Sequence, residues 1–470
     1  MTLEEYGWPR PHGFQPFTHQ KLTAEFLVSN RKAFCFNEQG TGKTASVIWA
    51  TDYLMSLGVI KRVLVVCPLS IMKSAWQNDL FKFALHRTVA VAYGGREKRK
   101  SIVKGNAEFV IINFDGLGIV KDEVLKGGFD LIVVDEASAY KNAQTSRWKV
   151  LRDLNKSIKG LWMLTGTPAA QSPVDAYGLA KLVNPKAVPM FFGEFRDSVM
   201  NKITTFKWVP KATATQTVHN ALQPAIRFEK AQCLDLPPLT FVDREAPLTP
   251  QQVKFYNKLK TEMMVEAGGE DVSAVNAAAK VNKLLQISCG SVYTDTGEVV
   301  DFDVSNRLNV VQEVIEESSH KVLVFVPFTH TIELLKKHLT KHGITSDIIN
   351  GSVSVNGRND AVQRFQTQVE PKVLIIQPKA ASHGLTLTAA NTVIWYAPVT
   401  SVETYLQANA RIDRPGQKNN MTVVHIAGSA IENKLYALLR GNIKNHEKII
   451  DLYREEISDG LLTVSKADVE

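Results

Sequence analysis

Cysteine is scarce: four in 470 residues, Cys35, Cys67, Cys233 and Cys289, widely scattered and none in a Cys-x-x-Cys pair. That spacing argues against a zinc site. Cys35 and Cys67 sit in apolar, strand-like runs and read as buried thiols, which suits a reducing compartment. No apolar run approaches the length of a membrane span. The N-terminus, with Glu4 and Glu5 early, lacks the basic-then-apolar layout of a signal peptide, so a soluble, intracellular protein is expected. Short repeats, collagen-like stretches and low-complexity tails are absent too. What is left is ordinary globular composition, 44% hydrophobic and 22% charged, with length enough for two domains that each have a core. The net charge of +8 reads either as attraction to polyanions such as nucleic acid or as a solvated basic surface.

The most informative stretch is Asn37-Glu38-Gln39-Gly40-Thr41-Gly42-Lys43-Thr44. It follows a short apolar run at 33–36 and precedes a segment of helical character at 45–50. Strand, Gly-rich loop, helix is the context a phosphate-binding loop requires. Gly40 and Gly42 let the backbone curl so that N–H groups face phosphate oxygens, and the helix N-terminus adds partial positive charge there. Thr41 lies between them in the same loop. Lys43 would reach the β- and γ-phosphates, and the Thr44 hydroxyl would bind Mg²⁺. The first position of the general pattern is Gly; here it is Asn37. Just upstream, Gln20 carries an amide whose donor and acceptor suit an adenine edge.

Apolar runs at 63–66, 109–112, 131–134 and 161–164 are continuous rather than alternating, which predicts a parallel sheet covered on both faces. Ligands of such sheets bind at the carboxyl ends of the strands, where Cys67-Pro68, Asn113, Asp135-Glu136 and Thr165-Gly166-Thr167-Pro168 stand. Residues 183–231 change character. Phe191, Phe192, Phe195 and the basic stretch near Trp208 read as a helical insertion whose aromatics pack on the lobe, or else as a nucleic-acid contact. Residues 259–286 are again helical, broken at Gly268-Gly269, and 293–300 resemble a hairpin around Asp295-Thr296-Gly297. A second set of apolar runs, at 322–326, 373–376, 392–396 and 423–426, predicts a second α/β sheet domain without a phosphate loop of its own. A helix is expected over 431–457.

Asp135 can hold Mg²⁺ directly or through water, and Glu136 can orient and deprotonate the attacking water. Arg411 and Arg414, three apart, share one face if their segment is helical. Across a cleft their guanidinium groups could reach a γ-phosphate; otherwise they are a surface pair bonded to Asp413.

In this order the motifs resemble the helicase-like ATPases of superfamily two, and specifically the Swi/Snf family. The loop is similar to motif I, Gln20 to the glutamine motif, Asp135-Glu136-Ala137-Ser138 to motif II and Leu164-Thr165-Gly166-Thr167-Pro168 to motif III. Residues 384–391 resemble motif V and 407–417 motif VI. Leu236-Pro237-Pro238 with the 248–256 stretch resembles the family's junction between lobes, and Asn350-Gly351-Ser352 with Arg358 and Phe365 its second-lobe motif. Two departures stand out. Ser138 replaces the usual His that links the ATP site to motif III, and Asn37-Glu38-Gln39 stands where Asp-Glu-Met is usual, a change beside the loop. The resemblance suggests a bare motor of the kind found in bacterial or viral members.

The resemblance implies an α/β fold of two RecA-like parallel-sheet lobes with ATP and Mg²⁺ in the cleft between them. Lobe one is expected over 1–240, with the insertion at 183–231, and lobe two over 241–470, with an insertion at 250–300 and a C-terminal helix. Gln20, Gly40, Thr41, Gly42, Lys43, Thr44 and, from lobe two, Gly384 would bind the nucleotide. Thr44 and Asp135 would bind the metal, and Lys43, Glu136, Arg411 and Arg414 would serve catalysis. Double-stranded DNA would cross both lobes with little sequence preference, near Ser70, Asn113, Thr329 and Thr386. The resemblance leaves room for a protein partner on that DNA. The expected function is DNA-dependent ATP hydrolysis driving translocation on duplex DNA. The alternatives are a strand-separating DNA or RNA helicase and a non-hydrolysing DNA-binding scaffold.

Overall fold

The computed structural model describes residues 5–441 apart from 167, 170–171, 205–207, 234–235, 268–273, 294–298 and 382–384. The chain divides into two compact units between Asp235 and Leu236.

The first unit is built on strands β1 (Lys32–Cys35), β2 (Val63–Cys67), β3 (Val89–Val91), β4 (Phe109–Asn113), β5 (Leu131–Asp135) and β6 (Gly160–Leu164). After them come β7 (Met200–Lys202), β8 (Trp208–Pro210) and β9 (Ala225–Ile226). The sheet order is β3-β4-β2-β5-β6-β1-β9, with every pair parallel. The apolar runs are continuous because both faces are covered. Leu64, Val66, Ile132 and Val134 enter one core, whereas Val63, Val65, Leu131 and Val133 enter the other. Helices α1 (Thr18–Ser29) and α2 (Lys43–Ser56) lie on the second face, where Trp49 meets Trp8 and Phe83 edge-on. Cys35 and Cys67 are buried there, as their surroundings predicted.

The stretch 183–231 holds helices Phe192–Val199 and Ala214–Ala221, the antiparallel ribbon β7–β8, and β9, which joins the sheet edge beside β1. Its aromatics divide. Phe195 is buried against Tyr177, whereas Phe191 is 62% exposed. Arg196 lies over the Trp208 ring, 4.0 Å from its centroid.

The second unit begins with β10 (Leu239–Glu245), followed by β11 (Ser291–Tyr293), β12 (Val299–Asp301), β13 (Lys321–Phe325), β14 (Ser346–Ile349), β15 (Val373–Ile376), β16 (Ala390–Trp395) and β17 (Met421–Ala427). Its sheet order is β10-β17-β16-β13-β15-β14, again all parallel. Helices Pro250–Ala267 and Ala274–Cys289 flank residues 268–273, and β11 pairs antiparallel with β12. The turn expected at 295–297 falls outside the described residues. Of the helix expected over 431–457, Ala430–Leu439 is formed; residues from 442 on fall outside the described residues. Among the described residues no helix is long and apolar enough to cross a membrane.

One buried group gives this unit a pH dependence. His425, at 0% exposure, shares a hydrogen bond of 2.8 Å with the Tyr405 hydroxyl and accepts one of 3.0 Å at Nδ1 from Arg440 Nε. Tyr436 and Phe241 stack on its ring. Burial first, and the Arg440 charge second, push the imidazole from 6.5 down to about 4, against the opposing pull of Asp243. The folded state therefore holds it neutral while the unfolded chain takes up a proton below pH 6.5. Stability is full above that pH and falls as pH drops toward 4, by about 2 kcal/mol at pH 5. Urea midpoints at pH 7.5 and pH 5 should show this loss in the wild type and a smaller one in His425→Asn.

Candidate active site

Strand register assembles the first half of the site. Cys35 is level with Leu164, and Leu164 with Asp135, so β1, β6 and β5 end in one row. The Gly-rich loop leaves β1 beside the Thr165-Gly166 turn after β6, and Thr165 donates its N–H to Cys35 O at 3.1 Å.

The loop is held from outside. Gly40 and Gly42 have φ of +87° and +80°, a region that penalises other residues. A Cβ on Gly42 would also lie 2.1 Å from Gln20 Nε2. Gln20 is buried; its amide donates to Thr41 O at 3.2 Å while its oxygen accepts from Phe17 N at 3.1 Å. His19 Nε2 also bonds Thr41 O, at 2.8 Å. The Gln20 amide is thus engaged with the loop itself. Gly42 caps the 14-residue helix α2, whose first residues are Lys43 and Thr44. The Lys43 ammonium donates to Asn37 O at 2.8 Å and Glu38 O at 3.2 Å, folded back onto the loop.

Asn37 has work of its own. Fully buried, it donates to Thr23 Oγ1 at 2.8 Å and accepts from Phe228 N–H at 2.9 Å. Glu38 N–H donates to Phe228 O at 3.0 Å, and Lys230 N–H to Glu38 Oε2 at 2.9 Å. The segment after β9 therefore straps the loop's entry. These residues were missed by sequence reasoning, since partners about 190 positions apart leave no local pattern.

At the end of β5, Asp135 Oδ2 accepts from Trp76 Nε1 at 2.9 Å, and Oδ1 from Glu136 N–H at 2.9 Å. Trp76, also missed, is fully buried in a π-helical turn, Met72–Gln77, a kind of distortion frequent at functional sites. Burial raises the Asp135 carboxyl above its usual value, while the Lys43 charge and the Trp76 and Glu136 N–H groups oppose the rise. Glu136 has φ of +53°, a left-handed conformation rare outside Gly and costing on the order of 1–3 kcal/mol. Its carboxylate accepts from Gln39 Nε2 at 3.2 Å, so the substitution read as lying beside the loop touches the second acid of motif II. Ser138 lies in the 3₁₀ turn that follows, Ala137–Tyr140.

These groups fit an anion with a hard divalent cation. Two left-handed glycines, a long helix's N-terminus and a lysine whose ammonium donates to two loop carbonyls suit phosphate. The Thr44 hydroxyl and the Asp135 carboxylate are oxygen ligands of the type Mg²⁺ prefers.

In the second unit Arg411 and Arg414 do not continue the helix. Helix Val402–Asn409 ends first, and both arginines lie in the turns after it, so the condition for a shared helical face is not met. Arg411 is buried, and its carbonyl accepts from Leu387 N–H at 3.1 Å. Arg414 donates from Nε to Ala410 O at 3.0 Å and from Nη1 to Thr386 Oγ1 at 2.9 Å, which brings together two residues expected to serve different ligands. Gly384 lies outside the described residues. Thr329 begins helix Thr329–Lys341 directly after β13. In the first unit Ser70 sits in the 3₁₀ turn Leu69–Ile71 after β2, and Asn113 Oδ1 accepts from Arg99 Nη1 at 2.6 Å.

Known proteins share this organisation. The model of the SNF2-related domain matches residues 19–290, and that of the helicase conserved C-terminal domain matches 306–416. An uncharacterised ATP-dependent helicase of Mycoplasma genitalium is 27% identical over 411 residues, covering 85% of this chain and 38% of that protein. The chromodomain-helicase-DNA-binding protein 1-like of Danio rerio is 26% identical over 443 residues, covering 90% of this chain and 42% of that one. The chain thus spans about two-fifths of the length of these relatives. A solved Sulfolobus solfataricus SWI2/SNF2 ATPase core in complex with dsDNA aligns with a TM-score of 0.47 at 23% identity, over 93% of each chain. With more than half of its length matched by the family model, this chain belongs to the SNF2-related family.

Proposed function

We propose that the chain is a DNA-dependent ATPase that translocates on double-stranded DNA, remodelling protein–DNA complexes or DNA branches. The observation that carries this reading is the alignment of the phosphate loop, Asp135 and Glu136 at neighbouring strand ends of one sheet. ATP is the substrate. Backbone N–H groups of the loop bind its phosphates, and Lys43 exchanges the carbonyls of Asn37 and Glu38 for phosphate oxygens. Bound Mg²⁺, held by Thr44 and Asp135, would neutralise part of the triphosphate charge. Glu136 accepts the proton of the water whose oxygen attacks the γ-phosphorus as the bond to the ADP oxygen breaks. In this reading the two units act as lobes, and Arg411 and Arg414 reach the γ-phosphate when ATP draws them together. Duplex DNA is contacted at its phosphates by both units, near Ser70, Asn113, Thr329 and Thr386, and so with little sequence preference. The name of the Danio rerio relative, which includes DNA binding, supports that partner class.

Steady-state ATPase of the purified chain, alone and with single-stranded DNA, duplex DNA or RNA, tests the proposal, with Lys43→Ala as the inactive control. Strong stimulation by duplex DNA is expected. Stimulation only by single strands or RNA would favour a strand-separating helicase, and no turnover with any of them would favour a scaffold.

A further inference from the structure

Gln39 occupies an unusual place. It stands at the entry of the phosphate loop, directly before Gly40 and one residue after Glu38, whose carbonyl accepts from Lys43. Its side chain crosses from that loop to β5 and donates an amide N–H to Glu136 Oε1 at 3.2 Å. It also lies against the turn after β6, where a side chain on Gly166 would meet Gln39 N at 3.5 Å and Cγ at 3.6 Å. One residue thus touches the ends of three adjacent strands. Glu136 needs such a support, because its left-handed backbone is strained and a carboxylate on a turn has several rotamers open to it. A donor on its oxygen selects one. Methionine, usual at this position in the family that the motifs resemble, fills a similar volume but has no N–H to give.

We propose that Gln39 is a positioning residue for Glu136, holding the carboxylate of the reacting base to the phosphate loop. This rests on the reading of Glu136 as the base. Gln39 donates its hydrogen bond to the carboxylate and does not itself exchange protons with the substrate. A group misplaced by about 1 Å in such a site costs up to about 100-fold in rate.

The test uses the full chain, duplex DNA and Mg²⁺-ATP. Gln39→Met keeps the side chain's length and removes its donor. It is expected to lower kcat about 10- to 100-fold, with KM for ATP within about twofold and Tm unchanged, since the ground-state contacts of ATP are not those of Glu136. Gln39→Ala should behave alike. In single-turnover measurements, adding Gln39→Met to Glu136→Gln should cause no further loss, because both act through one carboxylate. Wild-type kcat in Gln39→Met together with an inactive Glu136→Gln overturns the positioning role and leaves the base assignment standing. Wild-type turnover in Glu136→Gln overturns the base assignment, and the positioning role with it. A fall in kcat accompanied by a matching rise in KM and a lowered Tm overturns the proposal in favour of a packing role for Gln39.

Discussion

Glu136→Gln is expected to lower duplex-stimulated ATP turnover by about 10²- to 10⁴-fold while leaving ATP affinity within about twofold. The change swaps one carboxylate oxygen for an amide nitrogen, so shape is kept and the proton acceptor is lost. In the proposed mechanism phosphate is held by other groups, the loop backbone, Lys43 and the start of α2. Lys43→Ala should also stop turnover, but by weakening the hold on the phosphates. Equilibrium binding of a fluorescent ATP analogue, set beside turnover, separates the two variants. Near-wild-type turnover in Glu136→Gln would remove this residue from the chemistry and leave its strained backbone without a catalytic explanation.

Glu432→Ala is expected to destabilise the second unit by about 3–5 kcal/mol. Arg307 and Glu432 are both buried and form a two-pronged pair, at 2.7 Å through Nη1 and 2.9 Å through Nη2. Arg307 Nη1 also donates to Tyr396 O at 2.6 Å, while Glu432 Oε2 accepts from Gly428 N–H and Ser429 Oγ, each at 2.9 Å. The pair therefore joins helix Ser305–Glu317, helix Ala430–Leu439 and the end of β16. Burial alone would favour a neutral Arg307, but the Glu432 carboxylate outweighs it and holds the guanidinium firmly charged. Removing Glu432 strands that charge. Urea unfolding of the single variant and of Arg307→Met/Glu432→Leu measures the difference. The double variant should recover most of the loss, because neither charge is then left buried alone. A loss below about 1 kcal/mol in the single variant would show that water or another group readily replaces the carboxylate.

The phosphate loop is legible because its requirements are local: two glycines in left-handed backbone, a helix starting at Lys43, an apolar strand before it. The same holds for β2, β4, β5 and β6, whose continuous apolar runs reflect burial on both faces. Strand β10 escaped notice for the complementary reason. It is an edge strand that pairs, among the described residues, with β17 alone, and exposed Thr240 and Asp243 interrupt its apolar residues. Asn37 looked like a bare departure from a motif. Its explanation lies in Thr23 and Phe228, the latter brought near only by the pairing of β9 with β1. The spacing of Arg411 and Arg414 puts them on one face only if their segment is helical. The helix instead ends at Asn409, whose side chain accepts from Trp395 Nε1 at 2.9 Å, and Pro415 with left-handed Gly416 keeps the following residues in turns. Tertiary hydrogen bonds of this kind carry no period in the sequence.

Movement along duplex DNA is tested most directly by displacement of a third strand. A labelled oligonucleotide bound as a triplex in the middle of a long duplex would be followed with ATP, without ATP, and with Glu136→Gln. The expected result is release of the third strand by the wild type with ATP only, with the two duplex strands still paired afterwards. ATP hydrolysis stimulated by duplex DNA but without release of the third strand, or release accompanied by separation of the duplex strands, would contradict it.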